Sequence, residues 1–194
     1  MKEKIKIEEK INSAWRKIVN EKVGILLAKT KISPDTLTVI GIFASLIAAG
    51  IIIKYGLVIG ALAILFASLF DLLDGAVAKA KNSATSFGAF LDDVADRIGE
   101  LFYFSAIFWI ESNFPVFVAA VTSILVSYIN ASGKLRGFKI SSGTVWGRPA
   151  RIILLCVLML ISPWFKISAT LWILITLNIF TLLKRGYEIK KQSA

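Results

Sequence analysis

The chain has 194 residues, 56% of them hydrophobic and only 19% charged, with a net charge of +10. A soluble domain carries about a quarter charged residues, and so short a chain has nowhere to bury several stretches that are apolar all round, which excludes an ordinary soluble core. With no histidine and one cysteine, Cys156, inside an apolar run, imidazole catalysis, imidazole metal ligation and an intrachain disulfide framework are excluded as well.

Residues 1–23 hold no continuous apolar run of the signal-peptide kind. Ile5, Ile7, Ile11, Trp15 and Ile18 recur at roughly helical spacing among Lys and Glu, which predicts an amphipathic helix on the membrane surface. Residues 1–32 are read as this juxtamembrane segment and 33–194 as one membrane domain, without internal repeats. Six apolar segments are expected, at roughly 36–55, 57–74, 88–110, 114–131, 150–164 and 167–184, each approaching the ~20 residues that cross a bilayer. The fold class expected is therefore all-α, with six transmembrane helices. Ser33-Pro34-Asp35, Tyr55-Gly56, Ser112-Asn113-Phe114-Pro115 and Ser162-Pro163 punctuate the segments. Asp35 or Thr36 is the expected N-cap of the first. Trp109, Trp164 and Trp172 suit interfacial anchoring and core packing equally.

With those boundaries, every Lys and Arg except Lys54 and Lys166 falls on the side of the N-terminus. The bias predicts both termini, and the ends of segments two and three, on the cytoplasmic face of the plasma membrane. The basic residues are accounted for by this bias and by anionic headgroups, and no nucleic-acid partner is expected.

Asp71 and Asp74 share a helical face at the end of segment two, and Asp92 and Asp96 share one at the start of segment three. Glu100 continues the second face by a turn. Acids at membrane depth are costly unless compensated. Lys79, Lys81 and Arg97 could offset part of the charge, but divalent cations that prefer carboxylate oxygen would do so better. One or two such ions would recruit a phosphate-bearing substrate and stabilise its leaving group. Solvated, ion-paired helix ends are the plainer account of any single aspartate.

Asp71-Leu72-Leu73-Asp74-Gly75-Ala76-Val77-Ala78-Lys79, followed by Gly88, Asp92 and Asp96, resembles the CDP-alcohol phosphotransferase (CDP-alcohol phosphatidyltransferase) signature D-x2-D-G-x2-A-R-x8-G-x3-D-x3-D. Lys79 is the one departure, a lysine where arginine is usual. The resemblance implies transfer of a phosphatidyl-type or archaetidyl-type group from a CDP-lipid, CDP-diacylglycerol or CDP-archaeol, to a polar alcohol, with release of CMP. It implies two Mg²⁺ or Mn²⁺ ions on Asp71, Asp74 and Asp92, with Asp96 as general base and in some contact with metal. It implies small residues at Gly75, Ala78 and Gly88 for close approach of the nucleotide, phosphate contact by Lys79, nucleotide contact by Asp35, Thr38 and Asp71, and a homodimer.

Lys134, Arg136, Lys139, Arg148 and Arg151 form a basic set, of which Lys134, Arg136, Arg148 and Arg151 are the expected contacts of a phosphorylated acceptor. Arg148-Pro149-Ala150-Arg151 resembles the R-P-E-R segment of members that use inositol phosphate, the phosphatidylinositol and archaetidylinositol phosphate synthases. Alanine replaces the glutamate, and Asn130, Ser132 and Lys134 depart from their Y-x-K-A-R-x-E pattern. Inositol phosphate, glycerol phosphate and serine all stand as acceptors. Two other classes compete with the enzyme: a cation or proton transporter lined by carboxylates, and a non-catalytic assembly subunit of the same fold.

Overall fold

The computed structural model describes residues 32–138 and 146–193. The expected surface helix of residues 1–32 lies outside them except for Ile32, as does Lys139. The described residues form five helices: α1 Pro34–Ala80, α2 Ser86–Glu111, α3 Phe114–Leu135, α4 Arg148–Leu160 and α5 Ile167–Ser193.

The all-α expectation holds, but six transmembrane helices do not. Three helices, α1, α3 and α5, are long and apolar enough to cross a membrane. The segments expected at 36–55 and 57–74 belong to one 47-residue element interrupted at Gly56 (φ 82°, ψ −177°), a conformation open essentially to glycine. α2 is long enough but carries Asp92, Asp93, Asp96, Arg97 and Glu100 within its first fifteen residues. α4 has 13 residues, about 20 Å at 1.5 Å per residue, which is short of the ~30 Å hydrocarbon core.

The described residues fall into two compact units. The first comprises 32–45 and Phe66–Gly99. Within it the two ends of α1 run antiparallel: Thr38 meets Asp74, and a Cβ at Gly41 would touch Phe70. The second comprises Leu46–Leu65 and 100–193. There Gly60 lies so close to Ile52 that a Cβ would sit 2.4 Å from its side chain, so the chain doubles back around Gly56. In this unit α5 packs on α3 and α4. Val116, Ala119 and Val126 of α3, Leu155 and Met159 of α4, and Leu171, Leu174 and Ile175 of α5 are buried. Small residues on α3 permit close approach, and polar ones then bridge the helices. The fully buried Asn178 donates to Thr122 at 3.2 Å and Ser123 at 3.0 Å, and accepts from the Trp146 indole at 2.9 Å.

Candidate active site

The first unit builds a site from the start and end of α1 and the start of α2. Ser33 caps α1, its Oγ accepting from the Thr36 amide at 3.1 Å, and Pro34 occupies the first turn. The cap thus falls on Ser33 rather than on Asp35 or Thr36, because proline, which has no N–H to satisfy, favours the first helical position just after the cap. At the other end Lys79 lies in the last turn, where a cation suits the helix dipole. The helix closes with the Lys81 amide on the Val77 carbonyl at 2.9 Å and the Ser83 amide on Ala78 at 3.0 Å. Asn82 takes the left-handed conformation (φ 49°), which asparagine tolerates. Three residues later the Thr85 hydroxyl accepts from the Gly88 amide at 2.9 Å and opens α2. A tight turn thus joins the end of α1 to the start of α2.

That turn brings Asp71, Asp74 and Asp92 together, with one carboxylate oxygen of each within 4.8 Å of the others. Asp74 is 5% exposed, and its Oδ2 accepts a 2.6 Å hydrogen bond from Thr38. Lys81, one of the cations expected to offset the acids, donates to the Ile32 carbonyl at 2.8 Å. Arg97 pairs with Asp93 at 2.8 Å and stands 4.0 Å from Asp96. Asp96, one turn beyond Asp92, is not a member of the group of three.

A cavity of about 520 Å³ opens beside the group, and Asp74 and Asp92 line it. So do Asp35, Thr38, Gly75, Ala78, Lys79 and Gly88, every residue expected at a nucleotide site except Asp71. The glycines differ in cause. A Cβ at Gly75 would meet no protein atom within 4 Å, whereas one at Gly88 would lie 3.1 Å from both Asp35 Oδ1 and Thr85 Oγ1. Protein packing is tight at 88 and leaves room at 75.

The acceptor candidates lie in the second unit. Lys134 and Arg136 are exposed at the end of α3, and Arg136 donates back to the Ser132 carbonyl at 3.0 Å. Arg148 and Arg151, in the first turn of α4, are brought together by a partner from α2. Glu100 Oε1 accepts from Arg151 at 3.0 Å and stands 3.8 Å from Arg148 Nε. Arg151 also donates to Ser127 at 2.8 Å, and the next residue back on α3, Val126, offers its carbonyl to Arg185 at 2.8 Å. Arg185 escaped the sequence reading, although Asn178, Thr181 and Arg185 recur at helical spacing through an apolar helix and all are buried. That polar stripe was the signal to follow.

Three clustered carboxylates at the ends of apolar helices, beside a cavity, suit a metal-assisted site in a membrane protein. A family model for CDP-alcohol phosphatidyltransferase matches residues 31–183, and the chain belongs to that family, whose members are transferases of phospholipid synthesis. Among its relatives, the phosphatidylinositol phosphate synthase of Mycobacteroides abscessus is 29% identical over 189 residues, covering 91% of this chain and 85% of the relative. The archaetidylinositol phosphate synthase of Pyrococcus horikoshii is 28% identical over 177 residues, covering 89% of this chain and 91% of the relative. The solved structure of the Mycobacterium tuberculosis phosphatidylinositol phosphate synthase with CDP-DAG bound matches with a TM-score of 0.76 at 27% identity, over 86% of this chain and 91% of that one. A second structure of that enzyme, in complex with manganese and citrate, also gives 0.76 at 27% identity, over 86% and 87%.

Proposed function

We propose that this chain transfers the phosphatidyl-type or archaetidyl-type group of a CDP-lipid to inositol phosphate, releasing CMP. The observation that carries the reading is that Asp74 and Asp92, two of the three clustered carboxylates, also line the cavity beside Gly75. An all-oxygen, acidic donor set of this kind fits a hard divalent cation. Asp71, Asp74 and Asp92 would hold one or two Mg²⁺ or Mn²⁺ ions, which when bound supply charge stabilisation to the diphosphate. The relative crystallised with manganese supports the choice of metal.

The chain's own residues do the rest. The nucleotide lies in the cavity against Gly75 and Ala78, with Asp35 and Thr38 beside it and Lys79 on phosphate. The acceptor hydroxyl oxygen attacks the lipid-bearing phosphorus. The bond from that phosphorus to the bridging oxygen breaks, and CMP leaves with its electron pair. Asp96 takes the hydroxyl proton as attack begins, a role worth about 10²- to 10⁴-fold in rate. Arg148 and Arg151, with Lys134 and Arg136, bind the acceptor's phosphate. Inositol phosphate is favoured over glycerol phosphate and serine by the names of the relatives. Lys79, Lys81 and Arg97 around the acids support a metal site on the cytoplasmic face of the plasma membrane, and family resemblance supports a homodimer.

Purified full chain with CDP-diacylglycerol or CDP-archaeol, Mg²⁺ or Mn²⁺, and a panel of inositol phosphate, glycerol phosphate and serine tests the reading. CMP release with inositol phosphate is expected, and Asp96→Asn should cut kcat at least 100-fold. Release with glycerol phosphate or serine but not inositol phosphate overturns the acceptor. No release with any acceptor in either metal overturns the reaction. Full activity in Asp96→Asn removes the base.

A further inference from the structure

We infer that Glu100 is a positioning residue for the acceptor. Its carboxylate holds Arg148 and Arg151 as a pair, in register for the acceptor's phosphate. The inference rests on the acceptor role proposed above for these two arginines.

Glu100 is 2% exposed, and its side chain is shared between two guanidiniums from the first turn of α4. The contacts are unequal. Arg151 is buried and doubly tied, to Glu100 at 3.0 Å and to Ser127 at 2.8 Å. Arg148 is more exposed, 16% against 3% for Arg151, and approaches the same carboxylate oxygen by Nε at 3.8 Å. Arg151 therefore anchors Glu100, and Glu100 holds Arg148 near it. The other oxygen, Oε2, is buried with no hydrogen-bond partner among the described residues.

Stability is a poor reason for this arrangement. A buried ion pair gives little net stabilisation over well-packed apolar side chains, and a carboxylate left half-satisfied costs more still. The arrangement makes sense if the arginines must be held charged and in register. Arg185, buried on the neighbouring residue of α3 and interacting with Arg151 and Glu188, adds a further cation. Glu100 lies between Arg148 and Arg151 and lets the two guanidiniums sit together, while Arg185 is answered in part by Glu188. Such a site suits a phosphate monoester, which carries nearly two negative charges at neutral pH.

The test uses the full chain in detergent with CDP-diacylglycerol, Mn²⁺ and inositol phosphate. Glu100→Gln, which keeps the reach and removes the charge, should raise the acceptor KM about tenfold while kcat and the donor KM stay within twofold. That loss corresponds to about 1.4 kcal/mol. Glu100→Asp keeps the charge and withdraws it by one methylene, and should raise the acceptor KM about threefold. It also serves if Glu100→Gln does not fold. A purely structural residue would instead lower thermal stability and kcat with no selective change in acceptor KM, and that pattern overturns the inference. An unchanged acceptor KM in Glu100→Asp overturns it too. If the wild type turns over and Arg148→Ala raises the acceptor KM while Glu100→Gln does not, the inference alone fails. If Arg148→Ala affects donor and acceptor equally, the acceptor reading beneath it fails.

Discussion

Asp74 is the pivot among the clustered carboxylates. It is buried, and its position depends on a threonine that the signature does not contain. The 2.6 Å bond from Thr38 crosses 36 residues of sequence and ties the start of α1 to its end. Hydrogen bonds to charged groups contribute about 1.5–3 kcal/mol, and groups that orient a metal-binding carboxylate are worth 10–100-fold in affinity. Thr38→Val should therefore weaken Mn²⁺ binding at least tenfold, while Thr38→Ser, which keeps the donor, stays near wild type. Titration followed by electron paramagnetic resonance measures both. Equal affinity in Thr38→Val and wild type would show that Thr38 does not orient the site.

Two glycines of α1 separate ligand space from chain geometry. At Gly75 the position is helical and the protein leaves it open. Alanine there gains up to about 1 kcal/mol of helix propensity but projects a methyl group into the cavity side of the helix. Gly75→Ala should hold or raise the melting temperature and raise the KM for CDP-lipid severalfold; unchanged donor kinetics would remove Gly75 from the nucleotide site. At Gly56 the reverse holds. There is space for a side chain but the backbone conformation is one that other residues avoid, at a cost of about 1–3 kcal/mol. Gly56→Ala should lower thermal stability by that amount, read by a thermal unfolding assay, because the reversal of the chain that sets Gly60 against Ile52 depends on it.

For the protein taken entire, α1, α3 and α5 present many large apolar side chains to the outside, among them Phe43, Ile47, Phe66, Phe117, Ile173 and Phe180. Water would not tolerate so much exposed apolar surface on a monomer, whereas lipid does. The chain should stay with the membrane pellet after an alkaline carbonate wash and be released only by detergent. Recovery in the aqueous supernatant would contradict a membrane-spanning fold. Its single cysteine, Cys156, is 2% exposed, so a maleimide should label it only after denaturation.

Composition alone was enough to exclude a soluble core and to require a helical membrane protein, because apolar runs of this length have no other place to go. Local spacing was enough to pair Asp71 with Asp74 and Asp92 with Asp96, because helical periodicity is a property of the chain. The motif then identified the family. The count of spans was not legible. Hydropathy registers an apolar stretch but not whether it is long enough to span, as with α4, or too heavily charged over one part, as with α2. Nor could spacing say which acids meet. Asp71, Asp74 and Asp92 converge because the turn at 81–85 folds α2 back, and Asp96 lies a turn further along. The arginines show the same limit. As sequence, Arg148 and Arg151 are two cations in a basic loop, and Glu100 and Arg185 lie 48 residues before and 37 residues after Arg148. Only packing, which buries charges where each must find a partner, turned Glu100, Arg148 and Arg151 into one cluster and brought Arg185 up to its edge.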